Sequence, residues 1–395
     1  MEKTDTALIV GLDIGTTKVC AVVGEVDTDG QVKIVGIGDS ESKGLRKGMV
    51  VNIEDTVKSI QQAVTTAGQM AGCDIRSVYV GIAGSHIMGI NSHGVIAIQG
   101  NEVTTHDVDR VLDAARAVAI PSDREVIHTL PQEYIVDNQR GIVDPIGMAG
   151  VRLEVNVHIV TAAVSSAQNI VRSCNRAGLD VADIALESLA SAKAVLTDEE
   201  REIGVALVDI GGGTAEVAVI SMGSIVASRS VRSAGDEFEK EIIAYVKRKY
   251  NVLIGDRTAE EIKIAIASAA PYEGEEPYSV MGRNLVDGFP KEVTLTPAEI
   301  REVLSEQIGV IIDAILTTLE RTPPELSADI LETGITLAGG GAMLHGMDKL
   351  VAQQTGMPVF IAEEPLDCVA RGTGAILESP ETFSRTLFFD NRPSR

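Results

Sequence analysis

Two short segments of the sequence place an aspartate just ahead of a glycine-rich turn. They are Asp13-Ile-Gly-Thr-Thr-Lys18 and Asp209-Ile-Gly-Gly-Gly-Thr214, and each ends a run rich in β-branched residues. Glycine adopts positive φ and lets backbone N–H groups approach a phosphate closely, while the threonine hydroxyls and Lys18 add donors. Aspartate oxygens suit Mg²⁺, which keeps most of its waters. Two such turns closing on one polyphosphate would form a clamp.

A third glycine turn, Ala338-Gly-Gly-Gly-Ala342, follows another short apolar run late in the chain. None of the three turns matches the GxxxxGK(S/T) pattern of a P-loop, and the third also differs from the GxGxxG of a dinucleotide fold. A single glycine-rich turn is more often structural than functional. The order of the three turns, two matching Asp-x-Gly hairpins and then a triple glycine, is what predicts a phosphate site.

The first two turns lie within a longer internal repeat. Residues 7–23 and 204–220 each predict a strand, a tight turn and a second strand, with the aspartate at the end of the first strand. The two copies lie about half the chain apart, which predicts an α/β protein with two similarly built lobes.

Further elements must hold these hairpins in place. Apolar residues at helical spacing predict helices over residues 53–71, 165–177, 188–197, 236–250, 258–270 and 369–377, with another beginning near Met343. Thr296-Pro-Ala-Glu299 is a capping box that starts a long helix, and Thr322-Pro-Pro-Glu ends it near Arg321. Between residues 85 and 158, short alternating segments with one helix predict a small α+β insert. Residues 271–291 predict a loop with short strands.

Composition excludes several classes of protein. The 395 residues carry a net charge of -23 and no Trp, which argues against nucleic-acid binding. The four cysteines form no CxxC pair, so neither a zinc site nor a disulfide framework is predicted. The acidic start of the chain lacks the cations of a signal peptide, and the longest uncharged stretch, 77–101, is too polar to span a membrane. We expect a cytoplasmic protein.

The three turns, in this order, resemble those of the actin-like ATPase superfamily, where they are phosphate loop one, phosphate loop two and the adenosine loop. The resemblance implies a bilobed actin-like fold, a duplicated ribonuclease-H-like unit with a small subdomain on each lobe. It covers nearly the whole chain.

The resemblance points to two different families. Up to about Thr214 the chain resembles the bacterial division family FtsA, on segments such as Leu12-Asp-Ile-Gly-Thr-Thr-Lys-Val-Cys20 and Val80-Gly-Ile-Ala-Gly-Ser-His86. From about Glu216 it resembles the bacterial rod-shape family MreB, on segments such as Tyr250-Asn-Val-Leu-Ile-Gly-Asp-Arg-Thr-Ala-Glu-Glu-Ile-Lys263. We interpret the chain as a composite, either an engineered chimera or a natural hybrid.

This interpretation divides the chain into subdomains, the first small one of the FtsA 1C type. The bounds are 1–84 and 165–203 for subdomain IA, 85–164 for the FtsA-like 1C, 204–235 and 296–378 for IIA, 236–295 for the MreB-like IIB, and 379–395 for a tail.

The resemblance also assigns nucleotide-binding roles. Loop one is Gly15, Thr16, Thr17 and Lys18; loop two is Gly211, Gly212, Gly213 and Thr214; the adenosine loop is Gly339, Gly340, Gly341, Ala342 and Met343; and Glu260, Glu261 and Lys263 line the ribose and adenine. For Glu260 and Lys263, a solvated salt bridge at i,i+3 is the structural alternative.

Catalytic roles follow in the same way. The resemblance implies that Glu187 and Thr214 orient the attacking water. It also implies that Asp13 and Asp209 bind Mg²⁺ through its waters and that Asp209 takes part in catalysis. The chain departs from the family pattern at Ser188, where relatives have proline after the glutamate. For Glu187 the alternative is a solvated carboxylate at a helix start.

The implied activity is that of an ATP-binding, slowly hydrolysing cytoskeletal protein related to cell division and cell shape. ATP or ADP and Mg²⁺ would be its cofactors, and ATP and water would give ADP and phosphate. Two alternatives stay open: a small-molecule kinase of the same fold, and a nucleotide-gated binding module without filaments. A kinase needs a clustered substrate pocket, whereas the six histidines of the chain are scattered.

Expected partners follow from the same resemblance. Self-association into head-to-tail filaments is implied by both families. FtsA binds the tubulin-like FtsZ through its second small subdomain, and the MreB-like character of residues 236–291 argues against FtsZ binding here. Neither the basic amphipathic terminal helix of FtsA nor the anchors of MreB are evident, and residues 382–389 carry a single cation. We therefore expect no membrane anchor.

Overall fold

A computed structural model describes residues 7–26, 32–369 and 371–372 of the chain. Its strands are β1 (Ala7–Ile14), β2 (Lys18–Val26), β3 (Val32–Glu41), β4 (Leu45–Arg46), β5 (Met49–Val50), β6 (Ser77–Ile82), β7 (Ile87–Ala97), β8 (Arg124–Val136), β9 (Gln139–Ile142), β10 (Arg152–Ala163), β11 (Asp180–Leu186), β12 (Val205–Ile210), β13 (Ala215–Ser221), β14 (Ser224–Val231), β15 (Val252–Leu253), β16 (Tyr278–Asn284), β17 (Pro290–Leu295), β18 (Ile335–Ala338) and β19 (Val359–Ile361).

The helices are α1 (Ile53–Ala71), α2 (Thr105–Arg116), α3 (Val164–Arg176), α4 (Glu187–Val195), α5 (Asp198–Ile203), α6 (Gly235–Tyr250), α7 (Asp256–Ile266), α8 (Pro297–Glu320), α9 (Pro324–Thr333) and α10 (Met347–Thr355), with short 3₁₀ turns at Gly340–Met343 and Pro365–Asp367. No helix among these described segments is long and apolar enough to cross a membrane.

Two five-stranded sheets share one design. In the first, the strand order is β3-β2-β1-β6-β11, and in the second it is β14-β13-β12-β18-β19. Each begins with three antiparallel strands and continues with two parallel ones. The duplication that the two hairpins predict is therefore present in the strand order of both sheets.

Helix α1 packs very closely on the first sheet. Its buried residues include Ile60, Ala63 and Ala67, at helical spacing. A Cβ added to Gly38 on β3 would overlap the backbone of α1 at Ala63 and Ala67. Small residues on both surfaces thus set the distance between helix and sheet.

Two smaller sheets and the two-stranded β4-β5 ribbon complete the fold. The sheet β7-β10-β8-β9, covered by α2, lies in the chain between the parallel strands β6 and β11 and has its own apolar core. The sheet β15-β16-β17 packs with α6 and α7 into the core of the second lobe. Both lie where the sequence predicts small subdomains, and the exact subdomain bounds stay a prediction.

The inserted sheet β7-β10-β8-β9 is hydrogen-bonded to β14 of the second lobe. The side-chain amides of Asn91 and Gln132 donate to the carbonyl of Val226, over 3.2 Å in both cases. The ring of buried His158 bridges Asn91 Oδ1 at 2.6 Å and Ser228 Oγ at 3.1 Å. Burial lowers the pKa of His158 to about 4, so this bridge uses a neutral imidazole.

Helix boundaries differ from the sequence predictions at three places. The helix predicted over 258–270 is α7 and ends at Ile266. A helix predicted from Met343 is instead a 3₁₀ turn and then α10, because Gly346, at φ 73°, separates them. After the two prolines that end α8, a further helix, α9, begins at once. The helix predicted over 369–377 and the tail 379–395 lie largely outside the described residues.

The variant Gly38→Ala should destabilise the chain by about 1–3 kcal/mol, because its methyl group would overlap the backbone of α1. Urea unfolding followed by far-UV circular dichroism measures the change. Gly309→Ala in α8 is the matched control: its added Cβ meets nothing within 4 Å, and we expect stabilisation of about 0.5–1 kcal/mol. An unfolding midpoint of Gly38→Ala at or above that of the parent would contradict the packing described.

Candidate functional site

Both Asp-x-Gly turns are closed by the same backbone hydrogen bond. The N–H of Gly15 donates to the carbonyl of Lys18 over 3.0 Å, and that of Gly211 donates to the carbonyl of Thr214 over 2.9 Å. The hydroxyl of Thr16 also accepts the N–H of Gly48 at 3.0 Å. The internal repeat therefore has the same local geometry in both lobes.

The two turns lie directly against each other. A Cβ added to Gly212 would clash with the hydroxyl of Thr17, and one added to Gly213 would clash with the hydroxyl of Thr16. Phosphate loops one and two, predicted separately from the sequence, are thus brought together across the two lobes. Glycine is required at these two positions because the threonines occupy the space of a side chain.

Four carboxyl groups surround this contact. Asp13 lies near the end of β1, and Glu187 is the first residue of α4. Asp209 in β12 and Glu216 in β13 are directly opposite each other across the second hairpin. Burial raises the pKa of all four, and the charges of neighbouring carboxyls in the set raise those of Asp13, Glu187 and Glu216 further, so the four form one electrostatic cluster.

Asp13 and Glu187 are hydrogen-bonded to each other, which requires one of them to hold a proton. Burial raises the pKa of Glu187 well above its usual range, and the charges of Asp13, Glu216 and Asp209 raise it further. Burial likewise raises the pKa of Asp13, against the lowering effect of its hydrogen bond with Glu187. Ionisation of all four carboxyl groups at once is therefore unfavourable.

Asp209 and Glu216 each have a specific donor. Ser191 Oγ donates to Asp209 Oδ2 over 3.0 Å, yet burial raises the pKa of Asp209 to about 6. The backbone N–H of Gly84 donates to Glu216 Oε1 over 2.7 Å, and burial raises the pKa of Glu216 to about 7. Gly84 lies where the first lobe leads into the inserted sheet, so Glu216 links that junction to the second hairpin.

The cluster suits a divalent cation. Asp13 Oδ1 is buried and has no hydrogen-bond partner in the described structure. A cation nearby would both satisfy this oxygen and reduce the repulsion among the carboxylates. Among the described residues, no three His, Cys, Asp or Glu side chains converge closely enough to hold a metal ion directly. The predicted contact of Asp13 and Asp209 with Mg²⁺ through water stays a prediction.

Helix α6 begins on the second glycine turn. The N–H groups of Gly235 and Asp236 donate to the carbonyls of Gly211 and Gly212, over 3.2 and 2.7 Å. Lys263 of α7 pairs with Glu239 of α6, and its Nζ lies 3.4 Å from a Cβ placed on Gly235. Of the residues predicted to line the ribose and adenine, Lys263 is thus beside the second turn.

Glu260 and Glu261 lie on the exposed side of α7. Glu261 pairs with Arg257, with 3.2 Å between Oε1 and Nε. Neither carboxylate makes a hydrogen bond or ion pair with the glycine turns in the described part of the chain. Their predicted contact with ribose and adenine stays a prediction.

The third glycine turn packs on the end of β12. Gly339 has φ 77°, and a Cβ there would clash with Asp209 Oδ1. A Cβ on Gly341 would clash with the side chain of Ile210. In the same turn Gly340 begins the 3₁₀ segment, Ala342 is buried and Met343 is exposed. All three predicted turns therefore converge at Asp209.

Sequence reasoning missed Glu216, Ser191 and Gly84. The available signal was the position of Glu216, the single acidic residue in the otherwise apolar run Ala215-Glu-Val-Ala-Val-Ile220. A lone carboxylate in a buried strand needs a partner. Ser191 and Gly84 are distant in sequence from the turns and carried no comparable signal.

Comparison with known proteins identifies the family. A family model for the SHS2 domain inserted in FtsA matches residues 84–161, and one for MreB/Mbl protein matches residues 149–385. Cell division protein FtsA of Pseudomonas aeruginosa is 46% identical over 352 residues, covering 89% of this chain and 82% of that protein. The chain belongs to the FtsA family of cell division proteins.

Solved structures confirm the predicted actin-like fold of this FtsA-family chain. MreB5 of Spiroplasma citri bound to ADP matches with a TM-score of 0.64 at 23% identity, covering 96% of this chain and 98% of that one. The MamK double helical filament matches with a TM-score of 0.57 at 13% identity, covering 94% and 98%. At such identities the likeness establishes the fold alone.

The interpretation of the chain as a composite is not supported. The FtsA match runs over 89% of the chain and so continues through the proposed switch near residues 214–216. The MreB/Mbl model begins at residue 149, well before that switch. Both families build the same turns on the same fold, so shared motifs in the second half do not mark a boundary.

Raised carboxyl pKa values predict how stability depends on pH in the presence of a chelator. Between the ordinary pKa of 4.5 and about 7, folded Glu216 holds a proton that the unfolded chain releases. Stability should therefore fall as pH rises through this window. Glu216→Gln keeps an acceptor for Gly84 and removes the titration. Relative to the parent, this variant should have a fall of the unfolding free energy with pH that is smaller by about 1.4 kcal/mol per pH unit. At pH 8 it should be more stable than the parent by at most about 3 kcal/mol.

Urea midpoints between pH 5 and 8 measure this effect, with Glu54→Gln on the exposed surface of α1 as the control. We expect the control to keep the slope of the parent. A Glu216→Gln variant with the same slope as the parent would show that this carboxyl is already ionised in the folded protein.

Proposed function

We propose that this FtsA-family chain binds ATP with Mg²⁺ between its two lobes, hydrolyses it slowly and assembles head to tail as an actin-like cell division protein. The observation that carries the proposal is the direct contact between the Thr16–Thr17 turn and the Gly212–Gly213 turn beside four carboxyl groups. Family membership and a fold shared with an ADP-bound MreB support nucleotide binding.

In this proposal the backbone N–H groups of the two turns bind the phosphates, with Lys18 adding charge. The two turns already touch in this structure, so phosphates would enter by separating Thr17 from Gly212 and Thr16 from Gly213. The turn Gly339–Met343 and Lys263 would contact the nucleoside. Glu260 and Glu261, exposed on the same helix as Lys263, would contact it too, and Glu261 would then exchange its pairing with Arg257 for the nucleoside.

Bound Mg²⁺ would neutralise charge on the phosphates, with Asp13 and Asp209 holding its waters. Glu187, which lies at the start of α4 and is hydrogen-bonded to Asp13, would orient the attacking water together with Thr214. Its raised pKa would fall as positive charge enters the cluster, which converts it from a proton holder to an acceptor.

The role of Glu187 is tested by Glu187→Gln. This variant should bind MgATP within about threefold of the parent in calorimetry and release phosphate at least ~100-fold more slowly, since a positioned base contributes on that order. Exposed Glu54→Gln should match the parent in both measurements. A variant that hydrolyses ATP at the parent rate would eliminate Glu187 as the group that orients water, and absence of binding heat in the parent would eliminate the nucleotide site itself.

Filament formation is proposed on the fold shared with MreB and with a protein solved as a double helical filament. Pelleting of the full chain should require MgATP and should be lost with EDTA. It should persist longer for Glu187→Gln, because hydrolysis would be slowed. Sedimentation as a monomer at saturating MgATP would contradict the proposal.

FtsZ is the partner typical of the FtsA family, and we propose it here. The sequence argument against FtsZ depended on a composite chain. Since that interpretation is not supported, the argument no longer applies.

A further inference from the structure

The β4-β5 ribbon ends in a two-residue turn that contains a strained lysine. We call residues 46–49 the ribbon tip. Lys47 and Gly48 both have positive φ, at 53° and 72°, between the paired residues Arg46 and Met49. Glycine and asparagine suit such a turn, whereas the Cβ of lysine makes this conformation unfavourable. A strained residue in a short exposed turn points to a role for its side chain.

The ribbon tip is fixed to the first lobe beside the first glycine turn. The N–H of Gly48 donates to the hydroxyl of Thr16 over 3.0 Å. A Cβ added to Gly48 would lie 2.8 Å from the carbonyl oxygen of Ala83 and 3.0 Å from Cα of Gly84, so the two backbones are in close contact. Because the Thr16 hydroxyl accepts this hydrogen bond, its own proton can be donated to another group, such as a phosphate.

Two side-chain contacts at the ribbon tip cross to the second lobe. Lys47 Nζ lies 2.8 Å from Glu237 Oε1, and these two side chains are only 27% and 19% exposed. Arg232 donates from Nε to the hydroxyl of Ser85, and its Nη2 lies 3.9 Å from Met49 Sδ. Since the Lys47–Glu237 pair is partly buried, solvent and salt screen it less than a pair on the open surface.

Both partners in the second lobe lie next to the second glycine turn. Arg232 lies between β14 and α6, and Glu237 is in the first turn of α6. The start of α6 is held on the glycine turn, because the N–H of Asp236 donates to the carbonyl of Gly212 over 2.7 Å. Separation of the two glycine turns would therefore draw Glu237 away from the ribbon tip.

We propose that the ribbon tip restrains separation of the two lobes through the Lys47–Glu237 pair and Arg232, and so sets the rates at which nucleotide enters and leaves the cleft. This inference rests on the nucleotide binding proposed above and adds a control of its kinetics. Lysine and glutamate are long, flexible side chains, so their pair can persist while the turns hold phosphates between them. It has to break when the cleft opens further for exchange.

Stopped-flow exchange of methylanthraniloyl-ATP with Mg²⁺ tests the restraint. Lys47→Asn should raise the association and dissociation rate constants about fivefold each, and should leave the affinity within about twofold of the parent, since Lys47 binds the other lobe and not the nucleotide. Glu237→Gln should do the same, and the double variant should be no faster than either single variant. Asparagine suits positive φ, so Lys47→Asn should keep the urea midpoint of the parent.

The matched control for these rates is Lys240→Met. Lys240 Nζ lies 2.6 Å from the same Glu237 Oε1, but both residues belong to α6 and their pair does not cross the lobes. We expect parent rates for this variant. Parent rates in Lys47→Asn, or an equal acceleration in Lys240→Met, would overturn the proposal. A loss of affinity at an unchanged association rate would also overturn it, because Lys47 would then contact the nucleotide itself.

Hydrogen exchange without nucleotide separates failure of the restraint from failure of nucleotide binding. The N–H of Gly84 donates to Glu216 across the lobes, so its exchange reports their separation. Lys47→Asn and Glu237→Gln should each speed exchange in peptides containing Gly84 about fivefold, with α3 unchanged. Faster exchange in a chain that binds no nucleotide would refute the proposed function and support the restraint. Exchange equal to that of the parent in both variants would refute the restraint, whether or not nucleotide binds.

Discussion

The absence of two side chains, at Gly212 and Gly213, determines how the lobes of this protein meet. The hydroxyls of Thr17 and Thr16 occupy the space that those side chains would fill, so the two hairpin turns can touch. Two further elements pack beside this contact. Helix α6 begins on the second turn, and Gly339 lies against Asp209, the residue two positions before Gly211. A methyl group at either position would push the two turns apart.

Repulsion between buried carboxylates opposes the close contact of the two turns. Four carboxyl groups gather where the turns meet, and burial raises the pKa of each of them. The closed arrangement therefore holds protons that it would exchange for a cation. Stability and the charge state of Glu187 are consequently coupled through the cluster rather than separate features.

Local rules predicted much of this fold. The two hairpins, the duplicated lobes and α8 with its capping box follow from residues adjacent in sequence. The two prolines after α8 predict its end but also favour the start of a new helix, and Pro324 is the first residue of α9. Glu216 was missed because its partner, Gly84, is remote in sequence. The composite interpretation is not supported, because motif similarity alone does not locate a boundary between families that share a fold.

The neutral His158 bridge attaches the inserted sheet to the second lobe, although the chain connects that sheet to the first lobe. Its chain enters and leaves through the first lobe, yet Asn91, Gln132 and His158 fasten it to β14 of the second. A sheet attached to both lobes resists rotation of one lobe against the other. Any rotation of the second lobe against the first would therefore either carry the inserted sheet along, bending the chain near Gly84, or break the hydrogen bonds of these three side chains to β14.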